Sequence, residues 1–189
     1  MKTQIRHGVF ETNSSSCHSL SIKKSRGDYK YDQLKRWVDE DDNTIHIGFG
    51  EFGWECKEYT DPFVKLEYAL TMVVETECRD IKDVNEFFET DGFNEINDLI
   101  KRVCDCDGIT LTSEMELRWY HPSYWDYDKK KEVTDSSITY WYINHDGYID
   151  HQSCEGYKSL QDFLDYYGIT LEEFIFDTGV ELITDNDNH

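Results

Sequence analysis

The chain has 189 residues, 38% apolar and 15% aromatic, with a formal net charge of -21. That length suits one domain with its own core, and the aromatic content argues against a disordered chain. So acidic a body repels nucleic-acid phosphates and favours basic surfaces, and no apolar run reaches the ~18 residues that would mark a transmembrane helix.

The first element, "TQIRHGVF" (3–10), alternates weakly and reads as a strand. "HSLSIK" (18–23) sets Leu20 and Ile22 on one side and reads as a second strand, with "ETNSSSC" as a hairpin connection between the two. "YDQLKRWV" (31–38) suggests a short helix with Leu34, Trp37 and Val38 inward. "NTIHIGFGEFGWE" (43–55) starts as a strand through Ile45 and Ile47, then meets Gly48, Gly50 and Gly53, which mark turns or close backbone approach. Pro62 behind Thr60 and Asp61 signals a helix start, and Phe63, Leu66, Leu70 and Val73 form an apolar stripe. One or two helices follow through Val103, with Gly108 as the expected stop.

The period then changes. Ile109 to Tyr120 alternates as strand, and "SITYWYINHDGYIDH" reads as strand, turn, strand around Asn144–Gly147. "SLQDFLDYYG" is a capped helix, and Thr170 with Glu173 forms a capping box for another. "VELI" is the last strand, and 184–189 reads as a flexible acidic tail. Strands near both ends with helices between and after them predict an α+β fold: a single domain over 1–189, with an antiparallel or mixed sheet and a helical layer.

Four groups of residues can carry chemistry. In the first, "GVFETNSSSCHSL", Asn13 favours a turn, and Ser14, Ser15 and Ser16 offer hydroxyls and amides that could cradle a phosphate or carboxylate. Arg6 would add charge, with His18, Glu11 and Glu51 as neighbours. Strand alternation separates Cys17 from His18, which argues against a nucleophile–base pair. A solvated hairpin loop accounts for the same string. Second, "GFGEFG" formally matches a dinucleotide loop, but no helix start follows it, so a kinked strand is expected, with Phe49, Phe52 and Trp54 packed in the core or on a contact surface. There is no G-x-S-x-G and no P-loop, and no cofactor is expected.

Third, Cys104, Cys106, His151 and Cys154 could together offer zinc four donors, but without C-x-x-C spacing; free thiols are the default expectation. Fourth, an aromatic belt runs through "RWYHPSYWDY" (118–127) and "YWY" (140–142), with Trp119, Tyr120, Tyr124, Trp125, Tyr127 and Trp141 as its expected contact residues. One face of it belongs to the core and the other can form a contact surface for a basic partner. The "LEEFIF" helix has no Arg or Lys to meet DNA, so no helix-turn-helix readout is expected.

The strings "RHGVFETNSSSCHSL" and "GEFGWE" resemble a group of small bacteriophage and Firmicutes proteins that mostly carry no assigned function. The resemblance covers about the first 55 residues and implies a phage or mobile-element setting in the bacterial cytoplasm, without implying a reaction. The start of the chain lacks a signal-peptide core, in keeping with that location. The first expectation for function is an acidic interaction protein that binds a basic host protein, of the kind that handles nucleic acid, with no direct nucleic-acid or membrane contact. Its alternatives are a small enzyme or ligand-binding domain built on the Ser/His loop, and a virion component.

Overall fold

The computed structural model describes residues 18–53, 57–150 and 156–186. Its centre is helix α2, Pro62–Glu77. Asp61 starts it, accepting the Phe63 amide at 2.8 Å, with Pro62 in the first turn. The expected stripe holds at Leu66, Leu70 and Val73, but Tyr68, Ala69 and Met72 are equally buried on the other sides. A helix buried on most of its sides belongs in the middle of a fold rather than on its surface.

Around it lie α1 (Tyr31–Lys35), a 3-10 turn (Val84–Glu89), α3 (Asp91–Cys104), α4 (Leu160–Tyr167) and α5 (Leu171–Phe176). Tyr68 of α2 meets the rings of Phe52, Phe163 and Phe174 at 5.0, 5.6 and 5.8 Å. The expected caps form: Ser159 receives the Asp162 amide at 3.1 Å, Gly168 closes α4 in the left-handed conformation, and Thr170 and Glu173 make the capping box of α5.

The fold is α+β with mixed strand pairing, as expected, but the strands form several small sheets. β1 (His18–Lys24), β11 (Val180–Asn186) and β4 (Lys57–Tyr59) make an antiparallel sheet in the order β1-β11-β4. β2 (Thr44–Ile47) pairs in parallel with β5 (Gly108–Leu111), and β3 (Glu51–Phe52) pairs in parallel with β10 (Tyr148–Ile149). β6 (Met115–Tyr120) pairs antiparallel with β9 (Tyr140–His145), and β7 (Ser123–Asp126) with β8 (Lys131–Thr134). Among the described residues no helix is long and apolar enough to cross a membrane.

The strand–turn–strand expected around Asn144–Gly147 forms as β9 and β10, whose partners differ: β9 joins β6, while Gly147 packs against Phe49 and Tyr148 donates its amide to the Gly50 carbonyl at 3.0 Å, which commits β10 to β3. Three expectations are corrected. α1 ends at Lys35, so Trp37 leaves the helical spacing and is 57% exposed, with its ring 4.6 Å from Phe63. Asp105, at φ 56°, caps α3 in the left-handed conformation, and Gly108 instead opens β5. The expected tail begins too early, since β11 stays paired with β1 through Asn186; residues 187–189, Trp54 and the expected strand at 3–10 lie outside the described residues.

Three polar side chains of α2 tie it to its neighbours. Lys65, fully buried, donates to the carbonyls of Asp177 and Val180 at 2.8 and 3.1 Å. Thr71 accepts the Gly50 amide at 2.9 Å. The two Glu77 oxygens accept the amides of Gly92 and Leu160 at 2.9 and 3.1 Å, at the starts of α3 and α4. Amides in a first turn have no partner within their own helix, and a carboxylate suits that end of the helix dipole.

Three outcomes follow for stability. Glu77→Ala removes the acceptor for two such amides and should cost about 2–4 kcal/mol in urea denaturation, with Glu77→Gln costing less. Gly92→Ala should also destabilise, because the new carbon would lie 2.5 Å from Glu77 Oε1 and 2.6 Å from Val73 Cγ2. Burial pushes Lys65 down to about 8, against the pull of Asp177 and Asp61, from 10.5 in the unfolded chain. Between those pH values the unfolded chain binds more protons, so stability rises with pH. Relative to Lys65→Met, the wild type should therefore gain stability as pH rises from 8 to 10.5, by on the order of 2–3 kcal/mol.

Candidate interaction surface

The antiparallel register of β6 and β9 divides their side chains by face. Met115, Leu117 and Trp119 share one face with His145, Ile143 and Trp141; Glu116, Arg118 and Tyr120 share the other with Asn144, Tyr142 and Tyr140. The first face is buried at Ile143 and rises toward solvent at Trp119. The second holds three exposed tyrosines, with the Tyr120 ring 5.5 Å from Tyr140 and 6.0 Å from Tyr142. The β7–β8 hairpin adds Tyr124 and Trp125, and its turn adds Tyr127. That turn is organised by Asp126, whose Oδ1 accepts the amides of Asp128 and Lys129 while Oδ2 accepts Lys129 Nζ at 2.8 Å. The Lys129 side-chain bond, first among these, holds the Asp126 carboxyl below its usual range.

Exposure decides between core and contact surface for the aromatic belt. Trp119, Tyr120, Tyr124, Trp125 and Tyr127 are 54, 51, 57, 54 and 84% exposed. Trp141 is half-buried opposite Trp119. Tyr140 and Tyr142 belong with the exposed set although they are absent from the surface expected above. The signal was present, because alternation through "YWY" puts both on the face that Trp141 leaves.

Beside the three tyrosines lies a cleft of about 570 Å³, closed on its other side by the end of α2 and the residues after it. Asp80 donates its amide to the Trp141 carbonyl at 3.1 Å, and Arg79 bridges to Tyr142, so this segment extends the free edge of β9. Glu75, Arg79 and Asp80 line the cleft. Burial pushes the Glu75 carboxyl up, against an opposing hydrogen bond from the Ile149 backbone and the charge of Arg79. Behind it, His145 Nε2 sits 3.6 Å from Glu75 Oε1, and burial pushes its imidazole down, which favours the neutral ring. Glu75 and Asp80 were not anticipated, because nothing local in the sequence places the end of α2 beside β9.

Two further clefts follow α3. One, of about 620 Å³, is lined by Glu77, Asp91, Glu95, Asp98 and Lys158, and one of about 420 Å³ by Glu95, Asp98, Arg102 and Glu172. Arg102 pairs with Glu172 at 3.1 Å, and Tyr31 donates to the same carboxylate at 2.6 Å.

Of the loop residues expected to bind a ligand, Arg6, Glu11, Asn13, Ser14, Ser15 and Ser16 lie outside the described residues. His18 opens β1 opposite Asn186, and the exposed Glu51 opens β3 opposite Tyr148, in a different sheet. Of the zinc option, His151 and Cys154 also lie outside. Cys104 and Cys106 are buried at the end of α3, the Cys106 thiol facing the Ile100 and Gly108 carbonyls at 3.9 and 3.8 Å. Among the described residues no group of three or more His, Cys, Asp or Glu is placed to hold a metal ion. No protein-family model, no curated protein and no solved structure matches the chain.

Burial pushes the Cys78 thiol up to about 12 and the Cys104 thiol up to about 11. Only the thiolate is alkylated readily. In the native protein at neutral pH both should resist iodoacetamide, and both should label fully in denaturant, as read by mass spectrometry of the peptides.

Proposed function

We propose that this chain is a non-enzymatic interaction protein of phage type, acting in the bacterial cytoplasm by binding a basic host protein. A protein that handles nucleic acid fits that partner, and the role would be counter-defence or host takeover. One observation carries the reading: five large aromatic side chains, Trp119, Tyr120, Tyr124, Trp125 and Tyr127, are each more than half exposed on a chain of net charge -21. Exposed hydrophobic patches of this kind mark interaction sites, and Trp and Tyr are over-represented among the residues that dominate binding energy.

The charge selects the partner class. A strongly negative body accelerates encounter with a positive one and disfavours nucleic acid itself, whose phosphates it repels. Proteins that grip phosphates present clustered Lys and Arg, the complement of this surface. The resemblance of "FETNSSS" and "GEFGWE" to phage and Firmicutes strings supports the setting.

The test uses the immobilised full chain and a nuclease-treated bacterial lysate. The expected captured protein is basic, is released as salt shortens the screening length from about 10 Å toward about 3 Å, and is lost with the Trp125→Ala/Tyr127→Ala pair. Truncating such anchors should weaken the complex about tenfold or more. Capture that ignores both salt and this substitution pair would overturn the reading.

A further inference from the structure

We propose that the cleft between the end of α2 and the Tyr120–Tyr140–Tyr142 face takes a lysine side chain of the partner. This rests on the reading that the chain binds a basic protein, and it names the group recognised and the place. The cleft has about 570 Å³, ample for one extended side chain. Tyr120, Tyr140 and Tyr142 line one side of it, with the Tyr120 ring 5.5 and 6.0 Å from the other two. An ammonium within about 6 Å of such ring faces is attracted by their quadrupoles, and several rings around one cation form an aromatic cage. The four-carbon stem of a lysine would lie along the rings while its head reaches the carboxylates.

The charged lining points the same way. Among the described residues that line the cleft, Glu75 and Asp80 are carboxylates and Arg79 is the one cation, so this lining is net negative by one charge. An anionic group would face two carboxylates. His145 and Cys78 lie near these carboxylates, but among the described residues no group of three or more His, Cys, Asp or Glu is arranged to hold a metal ion. Glu75 is partly buried, and desolvation disfavours its charged form. An incoming ammonium offsets that desolvation, and the attraction is stronger in this half-dry setting than on open surface.

The position of the carboxylates favours ammonium over guanidinium. Glu75 projects from α2, whereas Asp80 stands after the helix, with its backbone at φ 61° and its amide tied to β9. Two single acceptors on separate segments suit a compact ammonium with donors in several directions; a guanidinium fork prefers two oxygens of one carboxylate. The cleft lies between the end of α2 and the paired β6–β9 ladder, to which Arg79 and Asp80 are joined. A site on such elements keeps its geometry better than one on a loop.

The experiment is a nuclear magnetic resonance titration at low salt. The probe is a glycine–lysine repeat peptide, compared with its fully ε-acetylated form and with a glycine–arginine repeat. The lysine peptide should shift the resonances of Tyr142, Asp80 and Trp141. The Tyr120→Leu/Tyr142→Leu pair should weaken binding about 5- to 30-fold, whereas Tyr142→Phe, which keeps the ring face, should stay within about twofold. Asp80→Asn should weaken it about 3- to 10-fold. Because these side chains are exposed, an unchanged thermal transition verifies that each variant is folded. Equal binding of the acetylated peptide, tighter binding of the arginine peptide, or equal binding by the Tyr→Leu pair would each overturn the assignment. If the lysine peptide fails to bind while the salt-sensitive capture of a basic protein persists, the cleft assignment falls and the proposed function stands; if both fail, the two fall together.

Discussion

α2 buries eleven of its sixteen residues, polar ones among them, so little of the helix is left to face water. Each fully buried Leu, Val or Met contributes roughly 1.5–3 kcal/mol relative to exposure, so Leu66, Leu70, Met72 and Val73 together set the arrangement of whatever encloses them. α1, α3, α4, α5 and β10 all pack on this one helix. Burial alone is non-directional and would permit many arrangements. Direction comes from Lys65, Thr71 and Glu77, which stand six residues apart. At 3.6 residues per turn, each step of six rotates by about 600°, so the three side chains leave the axis in directions about 120° apart. Lys65 fastens the turn between α5 and β11, Thr71 the segment before β3, and Glu77 the starts of α3 and α4. A polar group inside an apolar core is costly when unpartnered, which makes each of these contacts specific as well as favourable.

The acidity has a structural share that composition conceals. Asp61 caps α2, Asp83 and Glu86 build the capping box of the 3-10 turn, and Glu173 accepts the Thr170 amide. Asp39, Asp42, Asp126 and Asp135 accept turn amides two residues ahead. Hydrogen bonds hold several of these carboxyls below their usual range: Asp42 chiefly through the Thr44 hydroxyl, Asp135 chiefly through Ser137, and Glu173 chiefly through the Thr170 amide. Such acids order the chain locally, since short acidic side chains satisfy the amides that helix starts and turns leave open. Glu95, Asp98 and Glu172 differ, because they line open clefts along α3.

Local chemistry was readable and long-range pairing was not. The Asp61–Pro62 start, the Ser159 cap and the Thr170–Glu173 box are written in neighbouring residues, and all three form. So did the strand character of β1, β2 and β5. Which strand joins which depends on how α2 is wrapped, and no residue near Glu51 announces a parallel partner at Tyr148. Asn, Asp and Gly in "YINHDGYI" mark the strand–turn–strand that forms, but nothing in the string shows that Phe49 and Gly50 draw its second strand to β3. The aromatic belt met the same limit. Alternation separates Tyr140 and Tyr142 from Trp141, but whether either face is covered depends on the end of α2, some 60 residues earlier in the chain.

That dependence joins the core to the surface. The segment that closes α2 becomes the edge partner of β9, so the helix that organises the interior also builds one wall of the tyrosine cleft. Exposed Trp and Tyr side chains carry an aggregation hazard when copies of a chain meet. A net charge of -21 opposes that meeting, since like-charged copies repel before their aromatic faces touch. The same field draws in a positively charged body. Acidity and exposed aromatics are thus complementary on the proposed reading: the first keeps the second from self-association and leaves it open to a partner of opposite charge.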